Sequence, residues 1–514
     1  MKAKDVIIII DCGSQYTQLI ARRIRELRVY SEILPWDASI EEIRSKNPKG
    51  IVISGSSRNV PLSKAPMVSS EILEIGIPIL GICYGMQLLC HILGGKVAKT
   101  GSAEYRRIQV KIEDENAKLF KGLPKRFYAW VSHGDSIIEL PPNVRSLAKS
   151  EDGSIAAMAT LDDRIWGLQF HPEVAHTEHG TEILKNFLFA ICDCEPSWNL
   201  EGWVEEKIKE ITQMVGNDKV ICALSGGVDS TVAAVLTKKA IGDKLHCVFV
   251  NNGLLRLNEA ENVLSIYRQK LNLDVHYVDA SKEFLQALKG ITDPEEKRKA
   301  VGKTFIDVFE REAEKVGEAK WLLQGTLYPD VIESGQESRG ASVIKSHHNV
   351  GGLPEEMKLK LLEPLKDLFK DDVRAIGAIL GIPHSILRRH PFPGPGLSVR
   401  CLGEVTPEKL ELLRQADAIF MDELDSSGFY EKVWQAFCVL LPVRSVGVIE
   451  DERTYGYTIV LRAVESSDGM TADWVYLSRE LLDKIAHRIC NEVTGISRVV
   501  LDVTSKPPAT IEWE

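Results

Sequence analysis

The sequence predicts an α/β protein with two doubly wound parallel-sheet domains, followed by a smaller α+β C-terminal domain. Three observations carry this expectation. Short apolar runs alternate with segments of helical period over residues 6–93, and again over 201–324. In both stretches a glycine-containing turn rich in polar or nucleophilic side chains directly follows an apolar run, where ligands bind in such sheets. The alternation stops at Pro391-Phe392-Pro393-Gly394-Pro395-Gly396, which fits neither a helix nor a central strand.

A chain of 514 residues, 44% apolar and 26% charged, is long enough for roughly two to four domains with their own cores. No apolar run reaches the ~20 residues of a membrane span. Met1-Lys2-Ala3-Lys4-Asp5 leads straight into a strand and leaves no room for a signal peptide. The ten cysteines are scattered, and Cys12, Cys90, Cys222, Cys247, Cys438 and Cys490 lie inside apolar segments. That pattern suits reduced thiols in a cytoplasmic protein. Cys192 and Cys194 form a C-x-C without a second ligand pair, so no zinc site is expected. A net charge of −10 argues against general nucleic-acid binding.

From the N-terminus, Val6–Asp11 reads as a strand buried on both faces. Helix 14–27, strand 30–34, helix 39–45, strand 50–53, helix 69–75 and strand 77–82 follow. Next comes Gly81-Ile82-Cys83-Tyr84-Gly85-Met86-Gln87, a cysteine on a sharp strand-to-helix turn. A helix N-terminus behind a thiol favours its anionic, nucleophilic form. Alone, such a cysteine would equally be a packing residue at a tight turn. His171-Pro172-Glu173, at the end of a strand over 165–170, supplies a base and a carboxylate to orient it.

Together the G-I-C-Y-G-M-Q and H-P-E runs resemble the class I glutamine amidotransferases over residues 6 to about 197. The resemblance implies that Cys83 attacks the side-chain amide of glutamine, His171 moves the proton and Glu173 orients His171. It also places Gly55, Gln87, Ser132 and His133 on the glutamine side. Two positions depart from the family pattern. Its oxyanion loop usually reads S-G-G-P, where this chain has Ser54-Gly55-Ser56-Ser57. If the active loop needs positive φ there, Ser56 makes the competent state the rarer one and keeps basal glutamine hydrolysis low. Cys12 stands where the family has phenylalanine, which is expected to be a packing change.

Glu195–Leu200 reads as a linker and 201–215 as a helix. The apolar strand Val220–Leu224 then runs into Ser225-Gly226-Gly227-Val228-Asp229-Ser230-Thr231, ahead of a helix over 231–239. Two glycines let the backbone approach an anion, and the helix N-terminus turns free N–H groups toward it. Ser225, Ser230 and Thr231 add hydroxyls, and Asp229 offers a carboxylate for Mg²⁺ bridging phosphates. The lysine of the common phosphate loop is missing. Ile344-Lys345-Ser346-His347-His348-Asn349 is one place from which a cation could come, and Gly325–Ser334 another loop suited to a nucleotide pocket. Strands over 245–250, 275–278 and 321–324, with a helix over 257–271, continue the parallel pattern. Asp293-Pro294 marks a helix start, with Arg298 one turn in. The S-G-G-V-D-S run resembles the signature of the ATP pyrophosphatases, which cleave ATP between the α and β phosphates.

Beyond residue 390, helices over 407–422 and 478–491 and a strand near 457–463 are enough for a compact domain. R-H-P-F-P-G-P-G, L-P-V-R-S-V-G-V, D-G-M-T-A-D-W and the final S-K-P-P-A-T-I-E-W-E extend the resemblance over the whole chain, to the glutamine-hydrolysing GMP synthase family. The family pattern implies an amidotransferase domain at 6–197, an ATP pyrophosphatase domain at 198–390, and a dimerising domain at 391–514. It implies ATP, glutamine and xanthosine 5′-monophosphate (XMP) as substrates, and a homodimer. It places XMP at Arg298, Gln435, Lys506, Ile511 and Glu512. The residues alone say only that Lys506 is a cation on a stiff Pro507-Pro508 stem. Two other readings stay open at this point: an amidase-coupled ATP pyrophosphatase acting on a carboxylate, and a non-catalytic nucleotide sensor.

Overall fold

The computed structural model describes residues 5–56, 65–317, 319–331, 359–449, 452–466 and 471–514. The chain forms two compact units, residues 1–203 and 204–514.

The first unit is built on nine strands: β1 (Val6–Asp11), β2 (Tyr30–Pro35), β3 (Gly50–Ile53), β4 (Ile79–Ile82), β5 (Lys96–Ile112), β6 (Arg126–Glu139), β7 (Val144–Ser150), β8 (Ile155–Thr160) and β9 (Ile165–Leu168). Their order is β2-β1-β3-β4-β9-β8-β7-β5-β6. The first five in that order pair parallel, as the apolar runs require: Ile7, Ile8 and Ile9 are fully buried, because helices cover both faces. The other four join antiparallel, so this sheet is mixed and only its first half is doubly wound. β6 shows why. Phe127, Ala129 and Val131 are buried while Tyr128 is exposed, the period-2 alternation of a strand covered on one face. The segment expected as a helix over 69–75 is a 3₁₀ turn, Ser70–Ile75, stopped by Gly76 at φ 82°.

In the second unit β10 (Lys219–Leu224), β11 (Leu245–Asn251), β12 (Val275–Asp279), β13 (Ala319–Leu323) and β14 (Lys360–Leu362) make an all-parallel sheet, ordered β12-β11-β10-β13-β14. A second sheet follows: β15 (Gln435–Ile449) and β16 (Glu452–Glu465) form a long antiparallel hairpin. β17 (Asp473–Trp474) and β18 (Ile496–Leu501) both pair with β16. Asp293, Thr406 and Ser478 cap helices Pro294–Val316, Pro407–Ser426 and Arg479–Glu492, each accepting a backbone N–H in its first turn. One core runs through both sheets, with Ile221, Val248, Phe284 and Val301 in the same cluster as Leu397, Phe420, Ile459 and Ile489. Residues 204–390 and 391–514 therefore share apolar packing. Among the described residues, no helix is long and apolar enough to cross a membrane.

Candidate active sites

β4 ends at Ile82 and the next helix begins at Tyr84, which leaves Cys83 alone on the turn at φ 55°, ψ −109°. A non-glycine residue seldom adopts that backbone, and an outlier of this kind costs about 1–3 kcal/mol. The turn is enforced by crowding: a Cβ on Gly81 would strike Gly85, and one on Gly85 would strike the Ile53 carbonyl. The Cys83 N–H is anchored to Leu168 O at 2.7 Å, tying the elbow to β9. β9 leads into His171, whose Nδ1–H donates to Glu173 Oε1 at 2.7 Å, both groups being buried.

His171 is held through both its backbone and its ring. Its backbone N–H donates to Trp130 O (3.0 Å), Thr177 Oγ1 donates to its backbone carbonyl (2.6 Å), and Tyr16 packs edge-on against the ring at 4.9 Å. Arg23 Nε donates to the Glu173 carbonyl at 3.0 Å. Burial alone would lower the His171 pKa. The Glu173 carboxylate, then the Cys83 sulfur with its hydrogen bond, outweigh burial and hold the imidazole well above its usual range. The structure thus brings together Cys83, His171 and Glu173, from the ends of the neighbouring strands β4 and β9.

The other expected residues of this site fall unevenly. A Cβ on Gly55 would lie 3.4 Å from His171 Cε1, so the loop after β3 abuts the imidazole. Among the described residues, neither Gly55 nor Ser56 is in the left-handed region, so Ser56 carries no such strain in this state. Ser57 lies outside the described residues. Ser54 Oγ accepts from the N–H of Cys12, itself a core residue. Gln87 is buried, donating to Asp135 O (2.9 Å) and Gln169 Oε1 (3.2 Å). Gln169 Nε2 stands 3.9 Å from Cys83 Sγ. Gln169 was not singled out from the sequence; its only signal was a polar residue in the strand leading to His171. Ser132 and His133 fall on β6, and their side chains lie outside the description.

On the second sheet the helix after β10 starts at Val228, earlier than expected, with Gly227 as its N-cap and Gly226 at φ 78°. Ser225 Oγ and Ser230 Oγ lie 3.0 Å apart at the mouth of the loop. Thr231 is fully buried instead, its hydroxyl 2.6 Å from Gly227 O and 2.9 Å from Tyr267 OH, so it braces the loop from behind. Both oxygens of Asp229 meet Lys370 Nζ, at 2.7 and 2.5 Å. Lys370 opens helix Lys370–Ile379 and is a cation that sequence reading missed, because Lys-Asp-Asp at a helix start looks like a solvated turn. Arg389 donates to the Gly226 carbonyl and pairs with Glu259. The end of β13 closes in as well: a Cβ on Gly325 would lie 3.1 Å from Ser230 N. Ile332-Glu333-Ser334 and the run 344–349 with Lys345, His347 and His348 lie outside the described residues.

The proline-glycine break packs against β15. His390 stacks on Tyr430 at 4.0 Å with its Nε2–H on Tyr430 O, and burial drives its pKa down to about 4. Gln435 donates to Pro391 O (2.9 Å) and Glu512 Oε1 (2.7 Å). Arg298 donates to Glu514 O, and the buried Lys297 bonds Glu514 Oε2 at 2.5 Å. Gln435, Glu512 and Arg298 therefore gather around the final residues. Ile511 is buried in a small cluster with Phe437, Val439, Val460 and Val464, a packing role. Lys506 enters through its backbone, paired with Ala472.

Family models match along the chain: glutamine amidotransferase class-I over residues 8–191, NAD synthase over 200–303 and GMP synthase C terminal domain over 422–513. With the elbow on the first sheet and the phosphate loop on the second, they define an amidotransferase joined to a nucleotide-dependent ligase. Curated relatives with the name GMP synthase [glutamine-hydrolyzing] cover its full length. The Aquifex aeolicus protein is 57% identical over 508 residues, 99% of each chain. That of Caldanaerobacter subterraneus subsp. tengcongensis is 55% identical over 511 residues, 99% of each. The Clostridium tetani protein is 54% identical over 511 residues, 99% of this chain and 100% of its own. The chain belongs to the glutamine-hydrolysing GMP synthase family.

Proposed function

We propose that the chain aminates XMP to GMP in two coupled half-reactions, one in each unit. The observation that carries this reading is the coexistence of the Cys83–His171–Glu173 set and the Ser225–Thr231 loop in one chain. In the first half-reaction the Cys83 thiolate attacks the side-chain amide carbon of glutamine. Backbone N–H groups of the Gly55 loop face the oxyanion. The C–N bond breaks as His171 gives its proton to the leaving nitrogen, which departs as ammonia. His171 then takes a proton from water, which hydrolyses the thioester to glutamate.

In the second, the oxygen on C2 of the xanthine base attacks the α-phosphorus of ATP, and pyrophosphate leaves. The N–H groups at the start of helix Val228–Ile241, with Ser225 and Ser230, hold the departing phosphates. Ammonia attacks C2, loses a proton and displaces AMP. Magnesium enters as the ion of the ATP substrate. Such an ion needs only one or two carboxylates beside the phosphates. Asp229 is a partly exposed carboxylate on the loop, and it fits that part once Lys370 turns to a phosphate.

The domain borders at 197/198 and 390/391, the XMP contacts of Arg298, Gln435, Lys506, Ile511 and Glu512, and the glutamine contacts of Gly55, Gln87, Ser132 and His133 belong to the same proposal. So does a homodimer through the last domain, supported by exposed Val443, Val446, Val448 and Tyr455 on the β15–β16 hairpin. All ten cysteines are free thiols, which supports a cytoplasmic location. The test offers XMP, ATP and Mg²⁺ with either glutamine or ammonium and follows GMP. GMP from both nitrogen sources is expected; its absence with both would favour the sensor reading.

A further inference from the structure

We propose that Arg400 is a positioning residue for the acceptor nucleotide, setting the Glu512 carboxylate in the plane and orientation that the nucleotide meets. The inference rests on the reading that Glu512 and Gln435 contact XMP. Arg400 follows the turn Gly396–Val399, beyond the proline-glycine break, and is fully buried. Its Nε donates to Glu512 Oε2 at 3.0 Å and its Nη2 to Oε1 at 2.8 Å, a two-pronged pair that fixes both oxygens. Gln435 Nε2 adds a third donor to Oε1 at 2.7 Å. A carboxylate has about four acceptor sites, so one direction on Oε2 stays open to a ligand donor.

The guanidinium is itself held from two sides. It lies 4.0 Å over the Phe437 ring and 5.0 Å from Phe392. The Arg400 carbonyl accepts the Leu440 N–H at 2.8 Å, tying its backbone to β15. Its remaining Nη1 has no hydrogen-bond partner among the described residues, so both of its outgoing side-chain bonds go to Glu512. Exposure separates the two roles. The Arg400 side chain is 0% exposed and that of Glu512 20%, so a nucleotide reaches the carboxylate and not the arginine. Arg400 acts through Glu512. Lysine cannot replace it, because a point charge does not hold two oxygens in one plane.

Steady-state kinetics of the full-length enzyme test this, titrating XMP at saturating ATP and ATP at saturating XMP, with ammonium as nitrogen source. Arg400→Met is expected to raise KM for XMP about 10- to 100-fold, with KM for ATP and basal glutamine hydrolysis within about twofold. Arg400→Lys, which retains charge and bulk, should still raise KM for XMP at least about fivefold, and carries the test if the methionine variant fails to fold. A wild-type KM for XMP in Arg400→Lys, or equal rises in both Michaelis constants, would overturn the proposal. Glu512→Gln separates the two layers. If it raises KM for XMP while the Arg400 variants do not, only the positioning role fails. If Glu512→Gln leaves KM for XMP unchanged, the placement of the nucleotide at Glu512 fails.

Discussion

The Cys83 elbow and the Ser225–Thr231 loop are both strand–turn–helix junctions at the carboxyl end of a parallel strand, yet they are built in opposite ways. At the elbow the turn residue is itself the reagent of the proposed reaction. Cys83 takes the left-handed backbone itself, and the pair that serves it, His171 and Glu173, sits two residues apart at one strand end. At the loop a glycine takes the left-handed backbone, and the charges come from far along the chain: Lys370 lies 141 positions from Asp229, and Arg389 lies 163 from Gly226. A nucleophile has to be aimed, so its backbone is fixed by neighbours that leave no room for a Cβ. In the proposed reaction a phosphate has to be received at the helix start, and in this structure the loop's carboxylate, Asp229, is paired with Lys370. The elbow set is already hydrogen-bonded, and the loop is ion-paired.

Substitutions can break this contrast. The largest effect is expected from Cys83→Ala, which should cut glutamine-dependent GMP formation by at least about 10³-fold and leave ammonium-dependent formation intact. A variant that still used glutamine like the wild type would mean that the elbow is not the source of ammonia. Asp229→Asn attacks the other junction. Synthesis from either nitrogen source should fall about 10²- to 10³-fold, while basal glutamine hydrolysis persists. Undiminished AMP release would remove Asp229 from the chemistry.

Glu173→Gln sharpens the claim that the elbow set is already hydrogen-bonded. Glutamine-dependent synthesis should fall about 10²-fold, with the ammonium reaction untouched. Because Glu173 leads the groups that raise the His171 pKa, its imidazole NMR titration should move down toward the ordinary value of 6.5. The sign for stability follows. A histidine whose folded pKa is raised stabilises the fold fully below about pH 6.5, and that contribution fades as pH rises through the folded value. The variant should lose that part of the pH dependence in denaturation midpoints, and an unmoved His171 titration would count against the pairing.

Lys506→Ala should weaken XMP binding about 10- to 100-fold by calorimetric titration, as loss of one charge-assisted contact. Unchanged affinity would take Lys506 off the nucleotide. The smallest effect belongs to Ser56→Gly. Since Ser56 sits outside the left-handed region, basal glutamine hydrolysis should change less than about threefold. A larger rise would show that the working loop flips into a state a serine resists.

Much of this was legible because it is local. Apolar runs, caps such as Asp293 and Thr406, and the elbow are set by residues a few positions apart, through φ/ψ preference and periodicity. His171 and Glu173 were legible for the same reason, two residues apart at a strand end. The antiparallel half of the first sheet was not, because hairpin strands covered on one face lack the helical alternation that marks the parallel half. Thr231 shows a subtler limit. Its place in the motif predicted a hydroxyl for the ligand, but the helix starts three residues sooner than expected and turns that hydroxyl inward to Gly227 and Tyr267.

By itself, then, the order of residues determined which turns are sharp, which runs are buried, and which side chains stand at strand ends. Whether a charge finds a partner was decided only by tertiary structure. Lys370 meets Asp229, and Arg400 meets Glu512, across more than a hundred positions, with no local pattern to announce either pair. The physical reason is range. Backbone conformation is governed by clashes and hydrogen bonds within a turn or two, whereas an ion pair depends on where packing of the whole core delivers two side chains.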